Sequence, residues 1–347
     1  MKTIMLFFAL FTLVLPCTAF SEVSVPPIPS FDAWEENMQN GEKFLTPIKG
    51  EVDEKYVWYY DGIKVYYQIA EYTKDSKWLQ GVQVCKDWYR DEYVLKIPMV
   101  GGWRLFPHGL YIDYKKTGDI KSKEALLKLA KQGAFADRNI DYAKTTEYDL
   151  KTVALSREVA YNINCYLTAQ ELGDPAFSKP DPYIDLALRH LTIWNEWLKS
   201  GSASYPYNAE NGTGFQPFMA GLTCEALIYY YESKFADPVK KKEIFSAIKE
   251  IAVRMWDSAW IEDKSTFYYE NNKKGPAPDL NLLIAPLYAW LWHYTGEEQF
   301  RIKGDKLFAG GVKFAWLDGG KQFSQNYRWS FAYVNWRKAP PVGANEK

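Results

Sequence analysis

The chain has 347 residues, a formal net charge of −1 at pH 7 and 17% aromatic residues, among them 14 tryptophans. The near-zero charge argues against nucleic-acid binding, because contacts with phosphates require an excess of basic residues on one face. The length allows one large domain or two ordinary ones, and it is sufficient to bury a full hydrophobic core.

The first 21 residues have the pattern of a signal peptide. Lys2 supplies a positive charge, residues 4–15 are apolar, and residues 19–21 have the small-x-small form of a cleavage site. The apolar run is too short for a membrane span, and polar sequence follows it. We therefore expect export to the periplasm or the extracellular space, no membrane span, and a mature chain of residues 22–347.

Three cysteines remain in the mature chain: Cys85, Cys165 and Cys224. No two of them have the spacing of a metal site, and each lies in an apolar, helical context. This pattern favours buried free thiols over a disulfide. It predicts no structural zinc, and nothing else in the sequence indicates a metal or a cofactor.

Helical periodicity covers most of the mature chain. A short helix begins near Asp32, and the helices after it occur in pairs joined by short turns built around Thr, Gly or Asp. These turns begin at residues 72, 117, 172, 235 and 295. The predicted pairs are 61–72 with 77–90, 108–117 with 121–136, 157–172 with 183–199, 217–232 with 238–258, and 279–295 with 298–314. The tail from 318 to 337 is predicted as loop or strand.

Unequal spacing of the turns favours a closed ring of helices over a solenoid, because solenoids have nearly constant repeats. We therefore predict an all-α fold. It is an α/α toroid of about five to six antiparallel helical hairpins in a single domain, residues 22–347, followed within that domain by the loop or strand tail.

With these turns, and with stretches such as residues 102–109 (GWRLFPHG) and 215–222 (FQPFMAGL), the chain resembles the six-hairpin glycosidase-like class. That class includes many glycoside hydrolases and some polysaccharide lyases. The resemblance implies a carbohydrate-active enzyme with a glycan substrate, and we expect it to be a monomer.

The topology also predicts where a functional site lies. If the short turns lie at one end, the helices that enter them begin at the other end, among the long connections. Remote polar residues are therefore expected to meet around one opening, and Gln216 and Asp279 are expected to bind substrate there. The polar residues at these helix ends are Asp61, His108, Asp137, Glu158, Gln216 and Asp279.

Glycosidic cleavage needs one carboxyl group that donates a proton and one carboxylate that activates water or attacks the sugar. A helix N-terminus favours negative charge, so Asp61, Glu158 and Asp279 are expected to stay ionised. Asp137 stands at a helix C-terminus and is expected to hold a proton. The main hypothesis is a glycoside hydrolase with Glu158 or Asp61 as base or nucleophile and Asp137 as acid. Helix capping alone would also explain Asp61 and Asp279.

Aromatic and basic residues outside the helix interiors fit a sugar ligand. Trp103, Tyr207 and Trp329 would offer flat apolar faces to a sugar ring. Arg104 and Arg328 would hold a hydroxyl group or a uronate carboxylate through paired hydrogen bonds, with a simple salt bridge as the alternative.

Two other functions stay open. A polysaccharide lyase or uronate epimerase would use His108 or Tyr161 as a base, with Arg104 or Arg328 to neutralise the acid. A non-catalytic glycan-binding or envelope-assembly protein would bind sugar without forming a product. Nucleotide-binding and common hydrolase motifs are absent from the sequence: there is no Walker phosphate loop, no Gly-x-Ser-x-Gly elbow and no His-Glu-x-x-His.

Overall fold

The computed structural model describes residues 25–46, 56–136, 153–200, 215–270 and 274–342. These residues form twelve α-helices and one small three-stranded antiparallel sheet. The all-α prediction is therefore confirmed for the described chain. No helix in these segments combines the length and the apolar character that a bilayer crossing requires.

The helices are numbered in chain order. They are α1 (Phe31–Met38), α2 (Gly62–Thr73), α3 (Leu79–Cys85), α4 (Pro107–Thr117), α5 (Ile120–Gln132), α6 (Ser156–Glu171), α7 (Tyr183–Ser200), α8 (Pro217–Glu232), α9 (Pro238–Ala259), α10 (Asn281–Thr295), α11 (Glu298–Lys313) and α12 (Gly320–Lys338). A π-helix, Lys86–Val94, continues α3. The strands, paired in the order β1-β2-β3, are β1 (Trp260–Ile261), β2 (Thr266–Glu270) and β3 (Lys274–Pro276). The five predicted helix pairs are all present, with ends that differ by a few residues.

The short turns within these pairs are held by side chains that bond to the backbone. The hydroxyl groups of Thr73, Thr117 and Thr295 each donate to the carbonyl oxygen four residues earlier. Each hydroxyl oxygen also accepts from the backbone N–H two residues later. Asp119 and Asp237 cap the next helix by accepting from its first N–H groups. These local bonds explain why Thr and Asp recur in the turns.

The even-numbered helices pack against one another in chain order. α2 packs against α4, α4 against α6, α6 against α8, α8 against α10 and α10 against α12, and α12 packs against α2. The odd-numbered helices from α3 to α11 each pack on the even-numbered helix before them, and α1 packs on α11. Because a short turn reverses the chain after each of α2, α4, α6, α8 and α10, these helices begin at one end of the molecule. Here Gly320, which begins α12, lies against Val57 just before α2. This end is called the N-end.

Two of these helices, α6 and α9, differ in burial. In α6 every residue from Glu158 to Ala169 is buried, so the helix has no solvent-facing stripe. In contrast, α9 buries one stripe that includes Ile244, Ile248, Ile251 and Met255. A helix that is buried all round lies in the interior of a domain, whereas an amphipathic helix covers its surface.

The prediction of a loop or strand for residues 318–337 is wrong, because α12 occupies Gly320–Lys338. It packs on α2, α10 and α11, and it buries polar residues such as Ser324, Arg328 and Ser330 together with aromatic ones. Burial on all sides removes the alternation of apolar and polar faces by which a helix is recognised in a sequence.

A buried ionic network lies on the side of the molecule where the short turns lie. Asp113 accepts hydrogen bonds from the Tyr67 hydroxyl at 2.6 Å and from Lys86 Nζ at 3.0 Å. Arg90 Nη1 pairs with Asp119 Oδ2 at 2.7 Å. Buried charges of this kind persist only when partners surround them. The network therefore links α4, α5 and the π-helix.

Cys85 and Cys224 are free and buried, which confirms the prediction of free thiols for these two residues, and Cys165 is buried as well. Burial raises the pKa of the Cys85 and Cys224 thiols. Since the thiolate is the reactive form, these thiols are unreactive in the folded chain.

Candidate functional site

Charged and polar side chains from five even-numbered helices meet near the N-end. One comes from the residue before α2, two come from the first turns of α2 and α4, one comes from the second turn of α6, and two come from the middle of α8 and α12. Each influences the pKa of another member or has its own pKa influenced by one, so they share one electrostatic environment. This central cluster consists of Asp61, Lys64, His108, Tyr161, Glu225 and Arg328.

Asp61 links the starts of α2 and α4. Its Oδ1 and Oδ2 atoms accept from the Gly109 backbone N–H at 3.1 and 3.2 Å. His108 Nδ1 lies 3.9 Å from Asp61 Oδ2. A Cβ atom on Gly109 would lie only 2.4 Å from Asp61 Oδ1, so this close approach requires glycine. The Asp61 side chain is fully enclosed, and it therefore acts on its neighbours rather than on the exterior.

The backbone beside this carboxyl group is strained. Tyr60 and Asp61 have φ values of 59° and 64°, in the left-handed region that residues other than glycine rarely adopt. The ring of Tyr60 packs against Trp329 at 5.5 Å and against Phe106 at 6.2 Å, and these contacts help to hold the conformation. Such strain costs about 1–3 kcal/mol for each residue and is concentrated at functional sites.

Arg328 is the most enclosed cation of the cluster. Its side chain is fully buried, yet its Nε, Nη1 and Nη2 atoms make no hydrogen bond within the described chain. The guanidinium lies 4.4 Å from the Trp329 ring centre and 4.8 Å from that of Tyr161. Its Nη2 atom is 3.5 Å from Glu225 Oε2, which also lacks a hydrogen-bond donor. This pair therefore has unused hydrogen-bonding capacity in the interior.

Burial controls the protonation of the cluster. It raises the pKa of Asp61 and lowers the pKa of Lys64, because enclosure penalises the charged form of each group. The same cause, with Lys64 and Arg328 nearby, lowers the pKa of His108 well below its usual value, so the imidazole is neutral near pH 7. For Asp61, burial therefore opposes the helix N-terminus, which was expected to favour the ionised carboxylate.

Asp279 borders the central cluster. It lies in the 3₁₀ turn Pro278–Leu280 before α10, and its carbonyl oxygen accepts from Gln325 Nε2 at 2.8 Å. Burial raises the pKa of its half-buried carboxyl group, so burial again opposes the expected effect of the helix N-terminus. Asp279 and Arg328 both influence the pKa of Tyr60, which connects Asp279 to the cluster.

Glu158 is enclosed on the α6 side. Its Oε1 atom pairs with Arg157 Nη2 at 2.7 Å, and its Oε2 atom is buried without a hydrogen-bond donor. A Cβ atom on Gly102 would lie 2.7 Å from Glu158 Cγ, so the turn Gly102–Arg104 covers this side chain. Trp103 projects from the same turn with 43% of its surface exposed.

The other sequence-predicted site residues have different surroundings. Arg104 Nη1 donates to the Tyr93 hydroxyl at 3.2 Å, and Gln216 Nε2 lies 3.5 Å from Glu270 Oε2 of β2. Trp329 is only 1% exposed, because its indole packs over Arg328. The expected stacking of a sugar on Trp329 therefore does not fit its burial. Asp137 and Tyr207 lie outside the described residues.

Lys64 and Glu225 were not among the site residues predicted from the sequence, although the sequence contains a signal for both. Glu225 is the only charged residue between Pro217 and Tyr231, and Lys64 is the only one from Gly62 to Ala70. A single charge in an otherwise uncharged helix is costly to bury. Such isolated charges therefore mark positions where the interior of the fold contains a polar site.

The groups in the central cluster are suited to acid–base chemistry. In the segments that the structure describes, no three His, Cys, Asp or Glu side chains are grouped as a bound metal ion would require. Comparisons with protein-family models, with curated proteins and with solved structures found no match to this chain.

Proposed function

We propose that this protein is an exported glycoside hydrolase that acts on a poly- or oligosaccharide, built on an α/α toroid of six helical hairpins. The closed order of contacts from α2 to α12 and back to α2 supports the toroid. The sixth pair would be α12 and α1, since Trp34 of α1 bonds with Ser330 and Tyr327 of α12. Export is proposed from residues 1–21, which lie outside the described residues.

The observation that carries the proposal is the meeting of charged and polar side chains from five helices in one enclosed cluster. Burying an ionic group costs several kcal/mol even after relaxation of the surroundings. Groups with pKa values strongly perturbed by burial and by specific neighbours are typical of catalytic sites. The nearby Trp103 supplies an exposed aromatic face of the kind that contacts sugar rings.

The catalytic roles are assigned from the protonation of each carboxyl group and from its exposure to the exterior. The acid must hold a proton and reach the glycosidic oxygen. The pKa of Asp279 is raised by burial and its side chain is half-buried, so it is our candidate acid. Glu158 and Glu225 are candidate bases or nucleophiles, and each is paired with an arginine. Asp61 is too enclosed to touch substrate, and we assign it to holding Gly109 and His108.

The experiment is incubation of the mature protein, residues 22–347, with a panel of neutral and acidic glycans, followed by product analysis. We expect new reducing ends with at least one glycan. Asp279→Asn should lower kcat by about 10²–10⁴-fold, the usual contribution of a general acid. Asp318→Asn is the matched control, because this carboxylate is 90% exposed. A wild-type protein that releases no product from any glycan would contradict the proposal.

A polysaccharide lyase or uronate epimerase is the second candidate, and one observation favours it. The neutral His108 imidazole lies in the same cluster as Lys64 and Arg328, which influence its pKa. A neutral base next to cations is suited to removing a proton adjacent to a carboxylate. An unsaturated uronate product absorbs ultraviolet light, so its appearance would assign the lyase reaction and exclude hydrolysis.

A further inference from the structure

We propose that Glu225 is the catalytic base of this site and that Arg328 is its positioning residue. The inference rests on the proposed hydrolase function. It concerns a carboxylate that no sequence motif indicates, on a helix whose other residues are uncharged until Glu232. It also selects between the two arginine-paired carboxylates of the N-end.

The three carboxylates of the site differ in their exposure to the exterior. The Glu225 side chain is 18% exposed, compared with 5% for Glu158 and none for Asp61. The turn Gly102–Arg104 covers Glu158, and the Gly109 backbone covers Asp61. A base must come within hydrogen-bond distance of the water that it activates. Glu225 is therefore the best placed of the three.

The partners of Glu225 leave part of its carboxylate unused. Arg328 Nη2 approaches Oε2 at 3.5 Å, which is an ion pair without a hydrogen bond. Glu225 is also the strongest charged influence on the pKa of both Lys64 and Arg328. The carboxylate therefore pairs with the cation of α12 and shares its electrostatic environment with the cation of α2. Its free acceptor sites can receive a proton donor from water or from a sugar hydroxyl group.

The other titratable groups around this carboxylate are Asp61, His108 and Tyr161. Asp61 bonds to the Gly109 backbone, and the low pKa of His108 leaves its imidazole neutral. Burial raises the pKa of the Tyr161 phenol, so it stays protonated. None of these three groups competes with Glu225 as an accessible anion.

The proposed reaction is a hydrolysis. Glu225 takes a proton from water while the water oxygen bonds to the anomeric carbon. The glycosidic carbon–oxygen bond breaks, and Asp279 transfers its proton to the leaving oxygen. One water molecule is consumed, and exchange with solvent returns both carboxyl groups to their starting protonation states.

The test compares Glu225→Gln with Glu232→Gln in the mature protein on the best glycan of the panel. Glu232 is a matched control on α8, because its carboxylate bonds to Trp290 and Tyr294 away from the cluster. Glu225→Gln should lower kcat by about 10²–10⁴-fold and change KM by less than about threefold. Glu232→Gln should keep kcat within about threefold of the wild type. Sodium formate should restore part of the turnover of Glu225→Ala, because a small carboxylate can occupy the vacated space.

The outcomes separate this inference from the proposed function. Hydrolysis by wild type with undiminished kcat in Glu225→Gln would overturn the role of Glu225 and leave the hydrolase intact. Absence of hydrolysis by wild type would reject both. If circular dichroism shows that Glu225→Gln is unfolded, Glu225→Asp decides, since it keeps a charge beside Arg328 but withdraws the carboxylate by one methylene. Unchanged kcat in a folded Glu225→Asp would refute the role, and a loss of kcat with unchanged KM would support it.

Discussion

Gly109→Ala tests the contact between α2 and α4 on which the central cluster depends. The added Cβ atom would lie 2.4 Å from Asp61 Oδ1 and 2.6 Å from both Ile63 Cβ and Lys64 N. Non-bonded carbon atoms normally stay about 3.5–4.0 Å apart, so the two helix starts must separate by roughly 1 Å. This displacement would also stretch the hydrogen bonds from the Gly109 backbone to Asp61.

The magnitude follows from opposing contributions. Overpacking of a tight contact destabilises by about 1–3 kcal/mol. Weakening of the backbone hydrogen bond adds about 1 kcal/mol. The higher helix propensity of alanine opposes these losses by about 0.5–1 kcal/mol. We therefore expect a net decrease of about 1–3.5 kcal/mol in the free energy of unfolding, together with a loss of any turnover that depends on His108.

The assay is urea unfolding followed by tryptophan fluorescence, with turnover measured on the same samples. Gly275→Ala is the matched control, because nothing lies within 4 Å of a Cβ atom at that position. It should change the free energy of unfolding by less than about 0.5 kcal/mol. A Gly109→Ala protein as stable as the wild type would show that the two helices do not depend on this close approach, and the reasoning would fail.

Three further predictions concern buried residues outside the central cluster. Asp113→Ala removes a carboxylate bonded to Lys86 and should lower the free energy of unfolding by about 3–5 kcal/mol. The control Asp318→Ala changes an exposed residue and should alter this free energy by less than about 1 kcal/mol. Similar urea midpoints for the two variants would contradict this prediction. Burial lowers the pKa of His190 from 6.5 to about 3, so its stabilising contribution is complete above pH 6.5 and is lost as the pH falls towards 3. Between pH 6.5 and 5 the free energy of unfolding of the wild type should fall by about 2 kcal/mol more than that of His190→Gln. If urea unfolding shows the same pH dependence for both proteins, His190 is not the cause of the loss. The three cysteines of the mature chain should react with a thiol reagent only after denaturation, and rapid labelling of the folded protein would disprove their burial.

Local chemistry accounts for what the sequence determined. The helix pairs follow from apolar periodicity, and the turns follow from hydroxyl and carboxylate groups that bond to the nearby backbone, as at Thr117 and Asp119. Both depend on residues within a few positions of one another, so they can be read without knowledge of distant contacts. The turns also led to the prediction that polar residues at the helix starts would meet, and two of these residues, Asp61 and His108, lie 3.9 Å apart.

Only the tertiary structure decided the character of α12 and of the central cluster. α12 is buried on several sides, so its sequence lacks the two-faced pattern of a surface helix. Asp61 lies at a helix start, where the dipole favours an anion, but complete enclosure raises its pKa. Glu225 and Arg328 are 103 positions apart and meet through the packing of separate helices. Desolvation and long-range contact depend on which helices become neighbours, and no local pattern encodes that.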